Sequence, residues 1–137
     1  MAKATKPVEL SVEWRGDERM EGRAGDVKVM LDGSGLAGPT PVQAVAFALA
    51  GCMGIDVVHI LTKGRLEVKG LVTRLRGERA PEDPRRYLAF DLHFALRGDL
   101  PADKVERALA LSRDKYCSVW LSLRQDIVLT TSFEIAP

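Results

Sequence analysis

Hydrophobic and polar positions change rhythm several times along the chain, and each rhythm predicts an element. Val8-Glu9-Leu10-Ser11-Val12-Glu13-Trp14 alternates with a period of two, the mark of a half-buried strand. Arg15 to Arg19 reads as a turn. Two short runs, Met20 to Ala24 and Val27 to Leu31, flank Gly25-Asp26 and complete a three-stranded meander. Glycines and prolines between Gly33 and Pro41 then impose a loop. That loop ends in a helix start: Thr40 is a good N-cap, Pro41 suits the first helical position, and Gln43 completes a Thr-x-x-Gln capping box. A helix over 41–63 follows, with Gly64 as its stop. Its first half is apolar or small on every side, which predicts burial all round, and Asp56, His59 and Lys63 form a polar stripe further on.

The period returns to two over Glu67 to Arg76 and Tyr87 to Arg97, with an exposed hairpin loop from Gly77 to Arg86 between these strands. Pro101 opens a second helix with Val105, Ala108, Leu109 and Ser112 on one face. A short helix is expected from Ser118 to Leu123, and Ile127, Leu129, Thr131, Phe133 and Ile135 alternate in a closing strand. The order β-β-β-α-β-β-α-α-β clusters strands and helices rather than alternating them, so the class is α+β with a mostly antiparallel sheet. At 137 residues the expectation is a single domain, 1–137.

Composition narrows the function. Hydrophobic residues are 46% and charged residues 28% of the chain, the balance of a folded globular protein. Twenty Lys+Arg against nineteen Asp+Glu leave a formal charge of +1, so no global field draws in nucleic acid or an anionic membrane. The longest apolar stretch, Ala44 to Ile55, is twelve residues, short of the ~20 that a membrane span needs, and reads as a core helix. The basic opening Met1 to Pro7 lacks the apolar region of an export signal, so the expected compartment is the cytoplasm.

Two cysteines, Cys52 and Cys117, lie 65 residues apart. With two distant histidines they make a poor zinc set, and no metal or bound cofactor is expected. They are either inert core thiols or a pair that meets in space and reacts. Cys52 sits beyond the first turn of its helix and shares a face with Asp56 at i+4, whose charge opposes ionisation, so nothing local activates it. Cys117 follows Arg113 and Lys115 and precedes the expected helix at Ser118, where positive charge and free N–H groups favour the thiolate. His59 is about 10 Å of helix rise from Cys52 and so is not its base. His93 lies in a strand with no carboxylate or serine pattern around it in sequence and reads as structural. Arg74, Arg76, Arg79, Arg85 and Arg86 are interleaved with Glu78, Glu82 and Asp83, which makes a solvated loop rather than a phosphate patch.

Gly38-Pro39-Thr40-Pro41, followed by Ala48-Leu49-Ala50-Gly51-Cys52-Met53-Gly54, resembles the OsmC/Ohr family of osmotically inducible and organic hydroperoxide resistance proteins. Lys115-Tyr116-Cys117-Ser118-Val119 is similar to that family's second cysteine motif. The resemblance implies an intertwined homodimer with sheets wrapped around long central helices. It also implies a thiol-dependent peroxidase for oxidative stress defence, reducing organic hydroperoxides and also hydrogen peroxide, reset by an external dithiol such as a lipoylated protein. Carried over, Cys52 is the peroxidatic thiolate and Cys117 the resolving thiol. The family's peroxidases also use an Arg from the first hairpin, matched best by Arg19, and a Glu at the start of the central helix. Here that Glu position holds Val42 with Gln43 beside it, as in an OsmC-like branch without the usual Glu. The alternative is a non-enzymatic member of the fold that binds a small ligand or senses redox state through its thiols.

Overall fold

In a computed structural model that describes residues 4–137, the chain forms two compact units, one up to Val45 and one from Ala46 to Pro137. The basic opening read above as no export signal lies partly outside the described residues.

The first unit is the expected meander. Strands β1 (Ser11–Trp14), β2 (Arg19–Ala24) and β3 (Val27–Asp32) form an antiparallel sheet in the order β1-β2-β3. Alternation begins at Val8, but pairing with β2 begins only at Ser11 opposite Arg23, so the strand is shorter than its pattern. Beyond β3 the loop is built around the buried Asp32. Its Oδ1 accepts from the Ser34 N–H at 2.9 Å and the Ser34 hydroxyl at 2.7 Å, and its Oδ2 accepts from the Ala37 N–H at 2.9 Å. These bonds hold its carboxyl below the ordinary aspartate range, the Ala37 N–H contributing most. Pro39 O accepts from the Asp32 N–H and closes the loop. Gly38 passes so near Met30 that a Cβ would overlap the Met30 carbonyl, which explains a glycine here. The capping box forms as expected: Thr40 Oγ1 accepts from the Gln43 N–H at 3.1 Å, and Gln43 Oε1 accepts from the Thr40 N–H at 3.0 Å.

From this cap runs α1 (Pro41–Lys63), with the predicted bounds. In length and composition it would qualify as a membrane span, because apolar residues resume after Asp56 beyond the twelve counted in sequence. Within the second unit it lends a single face to the core. Leu49, Met53, Val57 and Leu61, four residues apart, are fully or almost fully buried. Gly54 on the same face packs closely against Thr73: an added Cβ would lie 3.3 Å from Thr73 Oγ1. The opposite flank corrects the expectation of burial all round, with Phe47 68% and Ile55 71% exposed in the single chain.

The second sheet comprises β4 (Gly70–Arg79), β5 (Tyr87–Arg97) and β6 (Val128–Ala136), ordered β4-β5-β6. Phe90, Leu92, Phe94 and Leu96 of β5 face the core with α1 and with Val105, Ala108 and Leu109 of α2 (Ala102–Leu111). Two departures from the sequence pattern have physical causes. β4 runs three residues past Arg76 because Gly77 acts as a close-approach residue, where a Cβ would stand 2.8 Å from the Tyr87 ring, and not as a turn. β5 and β6 pair in parallel, since the chain between them crosses over through α2; the other pairings are antiparallel.

After α2 the helix widens. Ser112–Tyr116 forms a π-helical turn, closed where Ser112 O accepts from the Cys117 N–H at 2.8 Å. A 3-10 turn at Trp120–Ser122 stands in place of the predicted short helix. Gln125 anchors it by donating from Nε2 to the Trp120 and Leu123 carbonyls at 3.1 and 2.9 Å.

Candidate thiol site

The second unit brings the two cysteines together. Cys52 and Asp56 project from one face of α1, and Cys117 arrives from the junction between the π turn and the 3-10 turn. The two sulfurs and an Asp56 carboxylate oxygen all lie within 4.8 Å of one another. Cys52 is partly accessible, whereas Cys117 is fully buried. Both are free thiols.

The backbone determines where Cys117 sits. Its N–H is spent on Ser112 O, and its Sγ accepts from the Trp120 N–H at 3.3 Å. Ser112, also buried, donates its hydroxyl to Asp56 Oδ2 at 2.8 Å. The π turn thus contributes at both ends: Ser112 orients the carboxylate and Cys117 presents the second thiol. Sequence reasoning paired Cys52 with Asp56 but missed Ser112. Its place on the apolar face of α2 was the available signal, since a buried hydroxyl requires a partner.

The structure overturns the expectation of a ready thiolate at Cys117. Burial pushes its thiol up to about 11, and the adjoining Cys52 adds to the rise; N–H donation from Trp120 and Val119 pulls the other way without prevailing. The expected cations are engaged elsewhere. Arg113 is bound to Asp114 at 2.9 Å, and the Lys115 ammonium lies 5.3 Å from the Tyr116 ring centroid. Cys117 is therefore a neutral, sealed thiol at pH 7.

Arg19, the third predicted site residue, opens β2 in the first unit. Its guanidinium donates to the Arg15 carbonyl at 3.2 Å and lies 4.0 Å from Asp17 Oδ2. His93 has the structural role read from the sequence, with a serine and a carboxylate as its partners: Nδ1 is 2.8 Å from Ser132 Oγ and Nε2 is 3.1 Å from Glu134 Oε1. Parallel pairing sets His93 opposite Ser132, a neighbour that local sequence cannot reveal. The result is a clasp between β5 and β6. His59 belongs to an apolar groove of about 760 Å³ along α1, with Phe47, Gly51, Ile55, Val58 and Leu71.

Against known proteins, residues 32–132 match the family model described as OsmC-like protein. Protein YhfA of Escherichia coli K12 is 43% identical over 110 residues, spanning 79% of this chain and 82% of YhfA. A hypothetical protein from Aquifex aeolicus superposes with a TM-score of 0.88 at 27% identity, over 96% of this chain and 97% of that one. The organic hydroperoxide resistance protein OhrB of Bacillus subtilis has the same fold at a TM-score of 0.64 and 14% identity, over 96% of this chain and 100% of that one. A mixed α+β fold with two sheets and two helices defines the class. The chain belongs to the OsmC family.

Different burial predicts different reactivity. In the reduced native protein at pH 7.5, iodoacetamide should label Cys52 first, with Cys117 labelled at least about tenfold more slowly until the pH nears 11 or the chain unfolds. Peptide mass spectrometry against time and pH reads this directly; equal labelling at neutral pH would remove the sealed thiol.

Proposed function

We propose that the protein is a thiol-dependent peroxidase that reduces organic hydroperoxides, and also hydrogen peroxide, with Cys52 as attacking thiolate and Cys117 as resolving thiol. One observation carries the reading: two sulfurs 65 residues apart in sequence lie within 4.8 Å, one accessible and one sealed. Peroxide reaches the accessible sulfur. Cys52 thiolate attacks the O–O bond, the departing alkoxide takes a proton and leaves as alcohol, and Cys52 becomes a sulfenic acid. The Cys117 thiol then displaces water from that sulfenic acid, forming the Cys52–Cys117 disulfide. An external dithiol reduces the disulfide and is itself oxidised to a disulfide. A lipoylated protein, whose paired thiols suit this exchange, is the proposed partner.

We assign Arg19 the part that a first-hairpin arginine plays in the family's peroxidases, stabilising the ionised nucleophile. The whole chain acts as one OsmC-like domain in a cytoplasmic homodimer. An apolar helix flank with Phe47 and Ile55 mostly exposed supports that assembly, because a second copy of the same flank would remove it from water. The raised Cys117 thiol favours a second reading, a redox sensor whose disulfide forms but is not recycled fast enough for catalysis.

Turnover separates the readings. With tert-butyl hydroperoxide and dihydrolipoamide, the wild type should consume many equivalents of peroxide, Cys52→Ser none, and Cys117→Ser about one before stalling as a trappable sulfenic acid. A wild type that stops after one equivalent despite excess dihydrolipoamide supports the sensor and rejects the peroxidase. In light scattering coupled to gel filtration, the wild type should elute as a dimer and Ile55→Lys as a monomer or a strongly weakened dimer; a monomeric wild type would reject the assembly.

A further inference from the structure

The Cys52, Asp56 and Cys117 cluster has donor chemistry that a peroxidase reading does not use. We infer that the reduced site binds one zinc ion per chain through Cys52 Sγ, Cys117 Sγ and an Asp56 carboxylate oxygen, leaving one coordination position open. Three features of the fold support this. The three donor atoms already lie within 4.8 Å of one another. Zinc–sulfur bonds of about 2.3 Å put two sulfurs of a tetrahedral site roughly 3.8 Å apart, so closing onto a metal asks for a contraction of at most about 1 Å. Cys52 and Asp56 stand at i and i+4, the helical spacing that also sets two ligands on one face in H-E-x-x-H zinc helices. Ser112 donates to one Asp56 oxygen, the kind of outer-shell contact that fixes a ligand's orientation while its other oxygen remains for the metal.

The donor set selects the ion. Two thiolates disfavour magnesium and calcium, which take oxygen ligands, and a mixed sulfur and carboxylate set with a tetrahedral tendency suits zinc. A ligand count limited to cysteines and histidines leaves out the aspartate one helical turn from Cys52. Binding joins Zn2+ to two sulfurs and one carboxylate oxygen and releases both thiol protons to solvent. Disulfide formation consumes the same two sulfur donors, so metal and peroxide compete for one reduced state. A zinc-loaded site shields both thiols, and oxidation expels the ion.

Metal binding is measured without peroxide, so its outcome is separable from that of the peroxidase reading. The full-length wild type, reduced and freed of reductant under nitrogen, is titrated with zinc chloride against a chromophoric chelator, and retained metal is counted after desalting. Expected are about one zinc per chain, none after conversion to the disulfide, and none in Cys117→Ser. Asp56→Asn, which keeps the shape of the side chain and both thiols, should bind at least about tenfold more weakly, consistent with the scale of ligand-shell losses. Cobalt should give the intense visible bands of a tetrahedral site in the wild type and lose them in Asp56→Asn. Circular dichroism and melting check that each variant is folded. Failure of the reduced wild type to retain zinc, or equal affinity in a folded Asp56→Asn, overturns the inference; zinc bound by a protein with no peroxidase turnover upholds it and rejects the peroxidase.

Discussion

A single widened helical turn determines whether this chain has a site at all. Where α2 ends at Leu111 the helical path continues as a π turn, whose closing bond from the Cys117 N–H to Ser112 O spans five residues. That geometry places Ser112 and Cys117 together against the Cys52 and Asp56 face of α1. π-helical turns are rare and concentrate at functional sites, where the inserted residue aims a side chain that a regular helix would direct elsewhere. Burial follows from the same placement. Cys117 is sealed beside Trp120 and its proton is held tightly, while Cys52, on a helix flanked by solvent, stays within reach of a small molecule.

That asymmetry underlies the separate roles proposed for two thiols carried by different elements. In the proposed peroxidase the accessible sulfur meets the oxidant and the protected one completes the disulfide, so the second thiol is spared direct oxidation. Asp56 adds a third donor whose orientation is set by Ser112. In the reduced state the three groups stand within 4.8 Å of one another, the donor cluster on which the zinc proposal rests. In the oxidised state proposed for the peroxidase the sulfurs are bonded to each other. Both proposals therefore depend on one geometrical fact, the approach of three side chains from two segments distant in sequence.

Much of the fold was legible because local chemistry decides it. The Thr40 and Gln43 capping box set the start of α1 at Pro41, and the alternation of Tyr87 to Arg97 marked β5 to the residue. What escaped was decided by pairing in space. Gly77 looked like a turn until Tyr87 was seen to need its missing side chain. His93 found Ser132 and Glu134 only through a parallel strand that follows it by about forty residues. Cys117 shows the same limit at the site. Its neighbouring Arg113 and Lys115 suggested an activated thiol, but those cations turn to Asp114 and Tyr116, and burial prevails. Family motifs located both cysteines; only the fold revealed Ser112 and the sealing of one thiol.

The account rests on two sulfurs of the same chain standing within 4.8 Å of each other. Intact-mass analysis after one equivalent of tert-butyl hydroperoxide, followed by non-reducing peptide mapping, tests this most directly. The account predicts a loss of two hydrogens per chain and a single crosslinked peptide joining Cys52 to Cys117, with no chain-to-chain disulfide on a denaturing gel. Stable oxygen adducts on Cys52, with Cys117 left as a free thiol, would contradict it.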